Sequence, residues 1–88
     1  MKTFTLKISS PDGDVFHGDV VKLSVRGTEG DLAVLAGHIP FVSSVCSCDC
    51  KIELEDGTEK LGHTDGGVLT VSNELVLLLS GSFKFLND

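Results

Sequence analysis

The sequence predicts an all-β domain, an antiparallel sandwich or barrel of short strands. Three observations lead there. Apolar and polar residues alternate one by one in several windows, as in Phe4, Leu6 and Ile8 against Thr5 and Lys7. Turn-forming groups recur at short, regular intervals between those windows. No window shows the 3.6-residue apolar period of a helix.

Taken in order, Phe4–Ile8 reads as a first strand and Ser10-Pro11-Asp12-Gly13 as the turn that ends it. Val15-Phe16 leads into a second short strand or bend ending at Gly18. Val21, Leu23 and Val25 alternate with Lys22 and Ser24. Leu32–Leu35 is apolar throughout, which predicts a strand covered on both faces. Phe41-Val42 and Val45 follow Pro40. Ile52 and Leu54 alternate with Lys51, Glu53 and Glu55. Asp56-Gly57 is the strongest hairpin signal, because a two-residue type I′ turn needs positive φ at both positions. Thr58–Thr64 is its return strand, and Gly66-Gly67 breaks the ladder. Val68–Val71 and Leu75–Leu79 pair around Ser72-Asn73-Glu74. Phe83-Lys84-Phe85 reads as a last edge strand or a loosely held tail.

Residues 1–88 make one domain, long enough to bury about 60–65% of the unfolded surface in a single modest core. Hydrophobic residues make up 41% of the chain, too many for a disordered one. A net charge of −6 argues against nucleic acid or an anionic membrane as partner and favours basic surfaces. No apolar run approaches the roughly 20 residues of a spanning helix, so no direct membrane insertion is expected. No N-terminal signal pattern is visible, and the chain reads as soluble and intracellular. Three cysteines are an odd number, which speaks against a disulfide framework. No Ser/His/Asp arrangement or phosphate-binding loop is present. No helix follows Gly66-Gly67, so that pair reads as a bulge and not as a phosphate cradle. No cofactor is expected and no catalysis by this chain alone.

The segment Gly27-Thr28-Glu29-Gly30-Asp31-Leu32-Ala33-Val34-Leu35-Ala36-Gly37-His38-Ile39-Pro40 is the most unusual part of the chain. Gly27 and Gly30 on one side, and Gly37 on the other, are placed to supply positive φ. Pro40 pushes Ile39 into an extended conformation. The segment therefore predicts two shaped turns around a strand, with Glu29, Asp31 and His38 on the turns. Glu29 and Asp31 read equally as solvated turn acids, and His38 as a ring satisfying a turn carbonyl.

Cys46-Ser47-Cys48-Asp49-Cys50 places three thiols on one face of an extended strand, together with Ile52 and Leu54. The plain reading is three small hydrophobes facing the core. A sharper one counts outward from a two-residue Asp56-Gly57 loop. That register sets Cys50 opposite His63 and Cys48 opposite Asp65, which would be a candidate ligand set for zinc or a softer metal.

The chain resembles the N-terminal β-sandwich domain of the epsilon subunit of F-type ATP synthase. The elements carrying the resemblance are Pro11-Asp12-Gly13 with Phe16-His17-Gly18-Asp19-Val20, then Gly27 to Pro40, then Gly66-Gly67-Val68-Leu69-Thr70-Val71 and Val76-Leu77-Leu78. The resemblance implies a flattened sandwich of about ten strands. It also implies a non-catalytic rotor subunit at the foot of the central stalk, coupling c-ring rotation to the gamma subunit during ATP synthesis driven by ion transport. Its implied place is peripheral, on the cytoplasmic face of a bacterial inner or plasma membrane. The implied c-ring contact is Glu29, Gly30 and Asp31, facing polar ring loops that carry a basic residue. The implied gamma contact is Ser10, His38 and Ser43. Full-length members continue into a helical hairpin that inhibits hydrolysis and in some cases binds ATP. With Asp88 as the last residue, this chain is expected to have neither that switch nor a nucleotide site. The family has a turn of Lys-Pro-Gly character where this chain has its cysteines. That departure leaves an alternative, a free-standing β-sandwich binding module with a Cys-rich metal or redox site.

Overall fold

The computed structural model describes residues 2–37 and 39–86. They form ten strands: β1 (Phe4–Ser10), β2 (Gly13–Val20), β3 (Lys22–Gly27), β4 (Gly30–Leu35), β5 (Phe41–Val45), β6 (Cys48–Glu53), β7 (Glu59–Thr64), β8 (Gly67–Val71), β9 (Val76–Ser80) and β10 (Phe83–Phe85). The all-β expectation holds. The hydrogen-bonded order is β10-β7-β6-β3-β5-β8-β9-β1-β2, with β4 paired to β3 off that path.

The order folds into two layers. One is β4-β3-β6-β7-β10 and the other β5-β8-β9-β1-β2. They join where Gly27 of β3 pairs with Val45 of β5. Inward positions of both layers make one core, with Leu6, Ile8, Leu23, Ile52, Leu69 and Leu78 fully buried. The alternation of residue types dictates this, because successive side chains of a strand point to opposite faces. Beyond the last strands of the order, the layers are closed by aromatic edges. Phe16 of β2 and Phe85 of β10 meet edge-on with ring centroids 6.2 Å apart.

Turns alternate between two ends of the sandwich. The register Gly27↔Val45↔Gly67↔Ser80 runs along one end. Pro11-Asp12, Thr28-Glu29, Cys46-Ser47, Asp65-Gly66 and Gly81-Ser82 lie there. Residues 21, 36–37 and 39–40 and the connections 54–58 and 72–75 lie at the other. The Gly27–Pro40 segment therefore spans the molecule from end to end.

Four expectations need correction. The sheet is not wholly antiparallel, since β1 pairs β9 in parallel from Leu6↔Val76 to Ser9↔Leu79. These strands are far apart in sequence, so no local turn restricts their mutual direction. β4 is not covered on both faces. It pairs β3 alone, with Val34 buried and Leu35 52% exposed. Gly27 has no positive φ, whereas Gly30 (φ 128°) and Gly37 (φ 85°) do. What Gly27 supplies is space, since a Cβ there would lie 3.2 Å from Ser43 Oγ. Lastly, Asp56-Gly57 is not a type I′ turn. Gly57 has φ 89°, but no described non-glycine residue has positive φ. Gly57 N–H donates to Leu54 O at 3.1 Å and Leu54 N–H to Thr58 O at 2.8 Å, which makes a three-residue loop with a glycine bulge. Asp56 escapes the need for positive φ because its Oδ1 accepts the Thr58 N–H at 2.9 Å.

Gly67 sits where β8 meets β9, and a Cβ there would run into the Leu79 carbonyl oxygen. Gly67→Ala is expected to lower unfolding free energy by about 2 kcal/mol or more in urea titrations. Gly18→Ala, whose Cβ would meet only Phe16 at 3.6 Å, is expected to be neutral or slightly stabilising.

Candidate interaction surfaces and the thiol segment

The β3–β4 hairpin is closed by the pair Gly27↔Gly30, so Thr28 and Glu29 form its tip. Glu29 is exposed there, and among the described residues it takes part in no ion pair. Asp31 differs. Its Oδ1 lies 3.0 Å from Arg26 Nε across the hairpin. That hydrogen bond, then the charge itself, raises the Arg26 pKa. Asp31 is thus paired within the hairpin while remaining exposed, and Glu29 at the tip is exposed without an ion pair among the described residues.

This end is stiffened from beneath. Thr64 and Ser80 are buried polar residues with hydroxyl oxygens 2.6 Å apart. Gly66 N–H donates to Thr64 Oγ1 at 3.1 Å, and Ser80 Oγ donates to Ser82 O at 2.7 Å. The Thr64 hydroxyl is also within hydrogen-bonding distance of the Gly66 carbonyl, at 3.3 Å, so the two hydroxyls share their protons among each other and the two loop carbonyls. The chain of bonds ties the 65–66 loop to the 81–82 loop. Asp65 takes part from outside, with Oδ1 accepting Ser82 N–H at 2.9 Å.

Ser10 lies at the same end as Glu29, and its hydroxyl is engaged in its own turn, accepting Asp12 N–H at 3.3 Å. Ser43 lies within β5, with Oγ donating to Ser44 O at 3.1 Å. His38 lies outside the described residues. Ser10 and Ser43 are not brought into one cluster.

The outer faces of the two layers differ in kind. On β4-β3-β6-β7 they carry the cross-strand charge pairs Arg26–Asp31 and Lys51–Glu59 at 3.4 Å, and a hydrogen-bonding contact of His63 Nδ1 with Asp49 Oδ1 at 2.9 Å. On β5-β8-β9 the register lines up Val42, Thr70 and Leu77 in one row and Ser44, Val68 and Leu79 in the next. Val42 is 69% exposed, Val68 41% and Leu79 48%. Sequence reasoning did not single out this apolar face. The unbroken run Leu75–Leu79 carried the signal, because a strand apolar on both sides has an outer face suited to cover.

The loop at Gly57 moves the β6–β7 register by one residue, and this separates the proposed metal ligands. Cys48 pairs with Thr64, Asp49 with His63 and Cys50 with Gly62. The thiols point inward while His63 points outward to Asp49, since a one-residue slip exchanges the faces of a strand. Asp65 is held by the 82 backbone. Cys48, Cys50, His63 and Asp65 therefore do not converge, and the described residues hold no group of three or more metal-ligating side chains. Cys50 is fully buried and Cys48 half-buried against the core. Burial, with a smaller contribution from Cys48, pushes the Cys50 thiol up to about 12.

A family model described as the ATP synthase delta/epsilon chain β-sandwich domain matches residues 3–85. Among solved structures, a chain of the Euglena gracilis mitochondrial ATP synthase (OSCP/F1/c-ring, rotational state 1) is similar at 23% identity and a TM-score of 0.90, covering 96% of this chain and 54% of that one. A chain of the Tetrahymena thermophila mitochondrial ATP synthase central stalk and c-ring is similar at 10% identity and a TM-score of 0.81, covering 94% and 66%. The chain spans about half the length of the first of these and about two thirds of the second. At such identities the likeness is one of fold.

The Cys50 thiol has a pH consequence. Its ordinary value is 9.0, and the folded state holds the proton up to about 12. Between those values the unfolded chain loses the proton first, so stability is full below about pH 9 and falls as pH rises towards 12. Urea titrations at about pH 8 and about pH 11 should show this loss in the wild type and a smaller one in Cys50→Ala.

Proposed function

Because the chain belongs to the ATP synthase delta/epsilon chain β-sandwich family, we propose that it is a non-catalytic rotor subunit of the central stalk, coupling c-ring rotation to the gamma subunit. The observation that supports this best is the division of its surface. One end presents an uncompensated carboxylate at Glu29 on a hairpin tip, and one side presents the apolar face of Val42, Val68 and Leu79. A rotor foot needs two such contacts of different kinds.

In this reading Glu29, with Gly30 shaping the turn, faces the basic polar loops of the ring. Asp31 contributes less, because Arg26 already holds its charge. The apolar face lies against the gamma subunit, with Ser43 on the strand that carries Val42. Exposed ion pairs are individually worth only about 0–1 kcal/mol, so the ring contact sets position more than strength. Apolar burial at about 25 cal/mol per Å² supplies most of the affinity for the shaft. The stiffness needed to pass torque comes from a close-packed interior and from the Thr64–Ser80 bonds beneath the ring-facing loops. No helix among the described residues is long and apolar enough to cross a membrane.

Glu29→Lys is expected to weaken retention on the assembled rotor by about 3- to 10-fold while leaving binding to isolated gamma subunit unchanged. Val42→Glu with Leu79→Glu is expected to weaken binding to isolated gamma by tenfold or more, since two apolar chains lose their cover and two charges replace them. Quantitative pull-down with gamma alone and with gamma plus ring separates the two effects. Unchanged binding in both variants would overturn the assignment.

A further inference from the structure

Among the described residues, the polar side chains buried in the sandwich are Thr64, at the end of β7, and Ser80, at the end of β9. No ladder joins those strands, since β7 pairs β6 and β10 while β9 pairs β8 and β1. Their hydroxyl oxygens, 2.6 Å apart, make a crossing between the layers that the ladders omit. That crossing closes a circuit. Ser80 pairs Gly67, Gly67 pairs Val45 and Val45 pairs Gly27, across β9, β8, β5 and β3. Arg26, next to Gly27, donates its N–H to Cys48 Sγ at 3.4 Å, and Cys48 pairs Thr64. A girdle of paired residues thus runs round the end that carries Glu29 and returns to the hydroxyl pair.

The girdle lies between the two surfaces of the domain. Gly27 pairs Gly30 as well as Val45, so the tip with Thr28 and Glu29 starts one residue beyond it. On its other side, Ser44, Val68 and Leu79 are the chain neighbours of Val45, Gly67 and Ser80. The row Gly30–Gly27–Val45–Gly67–Ser80 holds three glycines, which have no side chains to pack and leave the backbone free to bend. Its stiffness therefore depends on hydrogen bonds. The backbone bonds flanking the hydroxyl pair, Asp65 N–H to Ser82 O at 3.1 Å and Gly81 N–H to Gly66 O at 3.4 Å, start from exposed residues. The hydroxyl bond is buried, where a hydrogen bond is stronger than in water. Thr64 Oγ1 also accepts the Gly66 N–H at 3.1 Å, and Gly66 packs on the girdle, since a Cβ there would lie 3.1 Å from the Val45 carbonyl oxygen.

We propose that Thr64 and Ser80 are positioning residues, whose shared hydroxyl bond fixes the Glu29 tip relative to the apolar face of Val42, Val68 and Leu79. Without that bond the tip is held across the layers by the Gly27↔Val45 pair at a glycine, and hinges there. The consequence for the ring contact rests on the rotor reading. The positioning itself is a property of the chain alone, and the two are read out separately.

The first readout is native-state amide hydrogen exchange of the folded 88-residue chain, with the fold checked by far-ultraviolet circular dichroism. Thr64→Val keeps the side-chain shape and removes the hydroxyl, while Ser80 keeps the Ser82 carbonyl as acceptor. It is expected to speed exchange across residues 26–31 about tenfold, and exchange of the Val21 and Leu54 amides at the opposite end by less than about twofold. Ser80→Ala should give the same pattern, and Thr64→Ser, which retains the hydroxyl, should stay within about twofold of the wild type throughout. The second readout is pull-down with gamma plus ring. Thr64→Val is expected to weaken retention about threefold, to leave binding to gamma alone unchanged, and to add nothing to the loss in Glu29→Lys, because it acts through the tip. Unchanged exchange at residues 26–31 in the folded variants, equal acceleration at both ends, no restoration in Thr64→Ser, or additive losses with Glu29→Lys would each overturn the proposal. The expected exchange pattern together with full ring retention in Glu29→Lys would support the positioning and overturn the rotor reading instead.

Discussion

Strand β3 has three partners. It pairs β4 along its whole length, β6 over its first half and β5 at its last residue. A single strand thereby belongs to both layers, and the corner it makes gives the sandwich its depth. Gly27 permits the corner, because a side chain there would press on Ser43 and the Ser44 carbonyl. Three features of the surface follow from it. The β3–β4 hairpin tip with Glu29 projects from the corner end. The ladder to β6 opens beyond Ser24, which exposes Cys48 to a groove. The β5 strand is turned so that Val42 joins Val68 and Leu79 on the outer face of the second layer. The functional surfaces are consequences of how one strand is shared.

Much of this was legible in the sequence wherever the signal was local. Alternation marked Phe4, Leu6, Ile8, Leu23, Val25 and Ile52 as core residues, and they are buried, because residues on one face of a strand share one fate; Val21, just before β3, is not in the core, and Leu54, just after β6, is only partly buried. Ser10–Gly13 marked its hairpin. The failures have physical causes of their own. The parallel β1–β9 pair is non-local, and no turn chemistry announces it. At Asp56-Gly57 the dipeptide was read as a turn with two positive φ values, but an aspartate that caps the following Thr58 N–H needs none. That one hydrogen bond moved the register by a residue and sent His63 to the opposite face from Cys48 and Cys50. The candidate metal set fell with it. The Gly27–Pro40 segment was singled out for its glycines, and the structure gives two of them, Gly30 and Gly37, the positive φ expected, and the third a steric role.

The rotor reading joins these surfaces to a mechanical demand. Torque transmitted through a small domain is lost if the domain bends, and a two-layer sandwich with a close-packed core resists bending. The end assigned to the ring is braced by the buried hydroxyls of Thr64 and Ser80 and by the Asp65–Ser82 bond. The outer face of β4-β3-β6-β7 carries the cross-strand pairs Arg26–Asp31 and Lys51–Glu59. The division between a charged tip for position and an apolar face for affinity matches what a part held at two places by different neighbours requires.

The most direct test of that division is proximity cross-linking in the assembled enzyme, with all native cysteines replaced. One new cysteine is placed at a time, at Glu29 or at Val42, and a short thiol-reactive cross-linker is added. The account predicts that Glu29→Cys joins a c-ring subunit and Val42→Cys joins the gamma subunit. Exchange of these two products, or the same partner captured from both positions, would contradict it.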